Sequence, residues 1–161
     1  MPTTPGSSSS WDTRRDALGI DYGPDANQIR APEIKTVERL LARGDRLVHI
    51  RRDTTAWTPT DDYIWTPAGA VEPIRVEIKS LEDSTSLHEA TFPMRIKKSV
   101  GKSKAHGAAS RKRAFLVDAA DRDIPDHVLR QLHSYNRDNP GHRIDRLWLM
   151  ARGHVAEIEL E

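Results

Sequence analysis

Glu77 and Lys79 lie two positions apart in the run "RVEIKS", Arg75 to Ser80. Strand side chains alternate faces, so on a strand Val76 and Ile78 point one way while Arg75, Glu77 and Lys79 point the other. An acid and a base that share a face can reach one phosphate. Asp62 precedes the apolar triplet Tyr63-Ile64-Trp65, and a short turn joins that triplet to the Glu77 run, so the two strands are expected to be neighbours. Glu33 stands at the start of a helical pattern that must pack on the same sheet. Two or three carboxylates around one point make a hard-oxygen site suited to Mg²⁺ or Mn²⁺, with Asp62, Glu77 and Glu33 as ligands. A metal there would activate a bound water, and Lys79 would stabilise charge on a phosphorane-like transition state. The reading against this is a half-exposed strand with a cross-charged outer face. For Glu33 it is a favourable charge at a helix N-terminus.

The elements that must position these residues are legible in part. "APEIKTVERLLARGD" reads as a helix, with Pro32 in the first turn, Gly44 as the stop, and Ile34, Val37, Leu40 and Leu41 as the core-facing stripe. Leu47 to Arg51, Tyr63 to Trp65 and Ile74 to Ser80 read as strands separated by turn signals. Leu81 to Arg113 dissolves into polar and basic residues. "AFLVDAA" is an apolar run typical of a buried strand, and Asp118 at its end suits a loop cap. "IPDHVLRQLHSYNRD" reads as a helix opened by Pro125, and the C-terminal residues as two strands about Gly153. The order predicts an α/β (α+β) single domain with a mixed central sheet flanked by helices. Residues 31–161 form that domain, and residues 1–30 are expected to be a flexible or arm-like segment.

Composition narrows the classes. The chain has 161 residues, 30% of them charged, with a formal net charge of +1. There is no cysteine, which excludes disulfides, thiolate chemistry and Cys-type zinc sites. No apolar run approaches the roughly 18 residues of a membrane span, and no signal-peptide core is visible, so a soluble protein is expected. No Walker loop, Rossmann glycine pattern, nucleophile elbow or HExxH spacing occurs. Lys97, Lys98, Lys102, Lys104, Arg111 and Arg113 form a basic stretch interleaved with Gly and Ser. That pattern suits tracking a phosphate backbone, and a solvated face is the plainer reading. Trp57 and Trp65 are aromatic candidates for stacking on bases, with core packing the expectation for Trp65.

The order "EIKTVERLLARG", "TDDYIW", "VEIKS", basic stretch, "FLVDAA" and "IDRLWLMARGHVAEIEL" resembles the PD-(D/E)XK nuclease superfamily. More narrowly, residues 31–161 resemble the C-terminal tRNA-nuclease toxin domains of contact-dependent growth inhibition proteins. The resemblance implies a restriction-endonuclease-like core and a metal-dependent nuclease using Mg²⁺ (or Mn²⁺). It implies Asp62, Glu77, Lys79 and Glu33 as catalytic residues, tRNA as substrate, and a cognate immunity protein as partner. The site of action would be the cytoplasm of a target cell, reached by secretion or delivery. Lys35 stands where the family often has a second acid, so only Glu33 carries over in the helix. Asp61 replaces the family's Pro, and the position before Tyr63 assigns the ligand to Asp62. A DNA endonuclease of the same fold and a non-catalytic nucleic-acid-binding or protein-interaction module are the alternatives.

Overall fold

The computed structural model describes residues 7–81, 86–88, 91–107 and 111–161. Six strands form one mixed sheet in sequence order: β1 Arg46–His49, β2 Tyr63–Thr66, β3 Ile74–Ser80, β4 Ala114–Asp118, β5 Arg146–Ala151 and β6 His154–Ile158. β1, β2 and β3 pair antiparallel, β3, β4 and β5 pair parallel, and β6 returns antiparallel on β5. The parallel centre requires crossovers, and helices supply them. α3, Thr91–Lys104, joins β3 to β4, while α4, Asp126–His133, and the short α5, Tyr135–Asp138, join β4 to β5. The final hairpin closes on Arg152 and Gly153, both at positive φ (52° and 75°), as a two-residue primed turn demands.

Each face of the sheet has its own core. α2, Ala31–Ala42, buries Ile34, Val37 and Leu40 against Tyr63, Trp65, Val76 and Ile78. On the opposite face Phe92, Ile96 and Val100 of α3 and Leu132 of α4 pack on Phe115, Val117, Leu147 and Leu149. β4 is buried along its whole length because both its faces are covered. Asp118, at its end, is 1% exposed and accepts hydrogen bonds from Arg39 (2.7 Å), Thr36 (2.5 Å) and the Ala120 amide (2.8 Å), locking α2 to the sheet.

The stretch from Leu81 to Arg113, expected to lack a pattern, contains the 14-residue helix α3. Its apolar stripe Phe92, Ile96, Val100 repeats every four residues, and Ser99 and Ser103 complete the buried face. Its three apolar anchors are spread one to a turn, and the surrounding lysines mask them. Residues 82–85, 89–90 and 108–110 of the same stretch lie outside the described residues. Before α2, α1 spans Ser7–Ala17 and a 3₁₀ turn spans Gly23–Gln28, within the segment expected to be flexible or arm-like. Tyr22 and Ile29 are buried in the α2-side core, and Trp11, Leu18 and Ile20 pack against it. Residues 1–6 of that segment lie outside the described residues. No helix among the described residues is long and apolar enough to cross a membrane.

Candidate active site

The β2–β3 ladder sets the geometry. Tyr63 pairs with Val76, so Asp62 lies just past the end of the ladder. Its amide donates to the Val76 carbonyl (3.1 Å), and its Oδ2 accepts from the Ile78 amide (2.9 Å). The main chain thus holds the Asp62 carboxylate beside β3. One residue back on β3, Glu77 points to the α3 face of the sheet and is only 4% exposed. Its Oε1 accepts from Lys79 Nζ (2.9 Å) and from Ser99 of α3 (3.4 Å), and its Oε2 from Lys112 Nζ (2.7 Å). Lys112 is held in turn by its own amide, which donates to Ser103 Oγ of α3 (3.0 Å). Glu33, in the first turn of α2, accepts from the Tyr63 hydroxyl (3.2 Å), and Tyr63 shares a hydrogen bond with Tyr22 (2.7 Å).

The electrostatics are those of crowded, dehydrated carboxylates. Burial pushes the Asp62 carboxyl well above the usual carboxylate range, and the charges of Glu77 and Glu33 push it further. Glu33 is raised by burial, an effect reduced by the Tyr63 hydroxyl and by Arg52 and His49. Asp61 is raised by burial and then by Glu77. The Tyr22 hydroxyl is pushed up to about 12, mainly by burial. Tyr63 is raised more strongly, by burial and the Glu33 charge. Carboxyl groups that resist ionisation beside two ammonium groups form an acid–base set suited to proton transfer.

Glu77 and Lys79 are thus bonded to each other on β3, and Glu77 and Glu33 lie near enough to Asp62 for their charges to act on it. Among the described residues, however, no three His, Asp or Glu side chains are grouped closely enough to hold a metal ion. Both Glu77 oxygens are committed to lysine. As they stand, Asp62, Glu77 and Glu33 do not fit a ready Mg²⁺ or Mn²⁺ site.

The basic residues divide. Lys97, Lys98 and Lys102 are exposed on α3, and Lys104 is exposed but donates to the Gly141 carbonyl (2.7 Å). Arg111 and Arg113 line a separate cleft of about 780 Å³ with Arg75 and Arg146. There Arg111 donates to the Arg143 carbonyl, and Arg113 pairs with Asp145 (3.6 Å). Glu38 is paired with Arg14 (2.5 Å).

Two clefts open on the carboxylate cluster. One, of about 770 Å³, exposes Glu33, Lys79, Ser80, Arg52 and Arg95. The other, of about 390 Å³, is lined by Asp61, Asp62, Glu77, Lys112, Arg52 and Trp57 among others. His49, in the wall of the smaller cleft, donates to or accepts from buried Asp25 (2.9 Å) through Nε2, and its Nδ1 is buried without a partner. Neither Lys112 as the second cation on Glu77 nor the Asp25–His49 pair was foreseen from the sequence. Lys112 acts from 35 positions away and Asp25 from 24, beyond any local spacing. Comparison of the chain with family models, with curated proteins and with solved structures finds no match.

Proposed function

We propose that the chain is a nuclease that cleaves phosphodiester bonds, built on a restriction-endonuclease-like core and acting on RNA, tRNA in particular. The observation that carries this reading is the convergence of Asp62, Glu77, Lys79 and Glu33, with Lys112 as a second cation on Glu77. The preference for tRNA, the toxin role and an immunity protein as partner rest on the sequence resemblance. So do delivery and action in a target cell's cytoplasm.

In this reading the chain's own groups take the following parts in the chemistry. Glu33, whose proton affinity is raised the less of the two, takes the proton of the attacking hydroxyl as the new P–O bond forms. Lys79 and Lys112 stabilise the negative charge that builds on the non-bridging oxygens. As the bond to the leaving oxygen breaks, Asp62, which holds its proton the more tightly, supplies that oxygen with a proton. Two neighbouring carboxyl groups, one ionised and one protonated, divide the base and acid roles.

The test incubates the protein with total tRNA and with plasmid DNA, in Mg²⁺, in Mn²⁺ and in EDTA. Cleavage of tRNA by the native chain, lost in Glu77→Ala and Lys79→Ala, is the expected result. Cleavage that persists in EDTA agrees with a lysine-held Glu77, whereas a strict ion requirement means that this pairing rearranges. Unchanged cleavage in both variants, or none by the native chain under any condition, overturns the proposal.

A further inference from the structure

Of the four tryptophans, Trp65 and Trp148 are buried and stack edge to face on each other (5.1 Å between ring centroids), and Trp11 is partly buried against the core. Trp57 is the contrast. It is 72% exposed, and its φ of 54° lies in the left-handed region that a bulky side chain rarely adopts. The loop that carries it is fixed by Asp53, whose carboxylate accepts from the amides of Thr55 (3.0 Å), Ala56 (3.1 Å) and Thr58 (3.3 Å). The loop lines the smaller cleft together with Asp61, Asp62, Glu77 and Lys112. An indole held out to water on a tethered loop loses the burial that usually places a tryptophan.

We infer that Trp57 is the platform on which an unpaired base of the substrate stacks, so that the substrate is single-stranded or looped nucleic acid at the cleaved bond. The inference rests on the nuclease reading for the purpose of the cleft floor. The occupant follows from what surrounds the ring. A nucleotide presents an aromatic face and an anionic phosphate, and the cleft presents an exposed indole with Lys112 and Arg52. A base within a duplex already stacks on its neighbours and has no free face to offer. A base in a loop has one, and stacking it on Trp57 would bring its phosphate toward Lys112 and Asp62.

The probe is a single-stranded oligoribonucleotide, compared with the same strand annealed to its complement. The native chain, Trp57→Ala and Trp57→Phe are tested for binding, cleavage and quenching of tryptophan emission. Unchanged melting of the variants verifies folding, since Trp57 is no part of either core cluster. The expected result is preference for the unpaired strand and a quenched emission. Trp57→Ala then loses about fivefold to 150-fold in affinity for that strand, as removal of one stacking platform does. Trp57→Phe retains part of the affinity without the quenching. Equal binding by the native chain and Trp57→Ala overturns the inference, as does equal preference for the duplex. Binding that depends on Trp57 without cleavage sinks the catalytic reading and leaves the stacking site standing. No binding of either form sinks both.

Discussion

At the scale of the residue, the site is a set of charges held against their preference. Asp62 has a raised proton affinity because it is buried beside Glu77 and Glu33. An acid whose folded-state pKa exceeds its unfolded value binds more protons in the native state. Stability therefore falls as pH rises from the unfolded value near about 4 through the folded value. Asp62→Asn removes that buried charge while an amide oxygen can still accept from the Ile78 amide. Its expected effect is a higher melting temperature at neutral pH and a shallower fall of stability with pH, together with loss of cleavage. Each 1 kcal/mol gained corresponds to about 2–4 °C in a chain of this size. Melting curves across acidic to neutral pH check it, and a lower melting temperature for Asp62→Asn above pH 6 refutes it. Trp57 stores strain of another kind, on the order of 1–3 kcal/mol for a left-handed non-glycine residue. Outliers of that sort are retained where the surrounding loop fixes them, as Asp53 does here.

At the scale of the element, α3 does two things at once. Its inner face buries Phe92, Ile96 and Val100, and its Ser99 and Ser103 hold Glu77 and Lys112 in place. Its outer face carries Lys97, Lys98 and Lys102, and Arg95 reaches the Ser80 carbonyl at the larger cleft (3.0 Å). Arg95, Lys98 and Lys102 are spaced i, i+3, i+7, which aligns them in one row. A phosphate backbone leaving the cleft would meet that row. Replacing Lys98 and Lys102 by Ala is expected to lower the salt dependence of RNA binding by about 0.7 per lysine in the log–log slope. Lys104→Ala should change it less, because that ammonium is already bonded to the Gly141 carbonyl. Equal slopes for the native and double-substituted proteins would remove α3 from the binding surface. The helix stripe of α2 and the period-two face of β3 were legible because both patterns are local and apolar. The helix of α3 was not, because a four-residue stripe of three anchors sits among charged neighbours.

At the scale of the whole molecule, the N-terminal segment and the sheet are coupled. Tyr22 bonds to Tyr63, which bonds to Glu33, and Asp25 holds His49 in the cleft wall. A chain beginning at Ala31 lacks Tyr22 and Ile29 from the core, a loss of about 1.5–3 kcal/mol for each buried apolar side chain. At 2–4 °C per kcal/mol its melting temperature is expected to fall by at least about 6 °C, measured by calorimetry. Melting like the full chain would make residues 1–30 a mere appendage. The sequence by itself determined helices α2 and α4, the order of the strands, the mixed sheet they imply, and the shared face of Glu77 and Lys79. Those features follow from periodicity and turn chemistry within short windows. Only the tertiary structure decided that Lys112 is the second cation on Glu77, that Asp25 holds His49, and that Trp57 is exposed while Trp65 is buried. Each of these depends on which residues, tens of positions apart, the packed sheet and helices bring within bonding distance, and no local pattern in the chain encodes that.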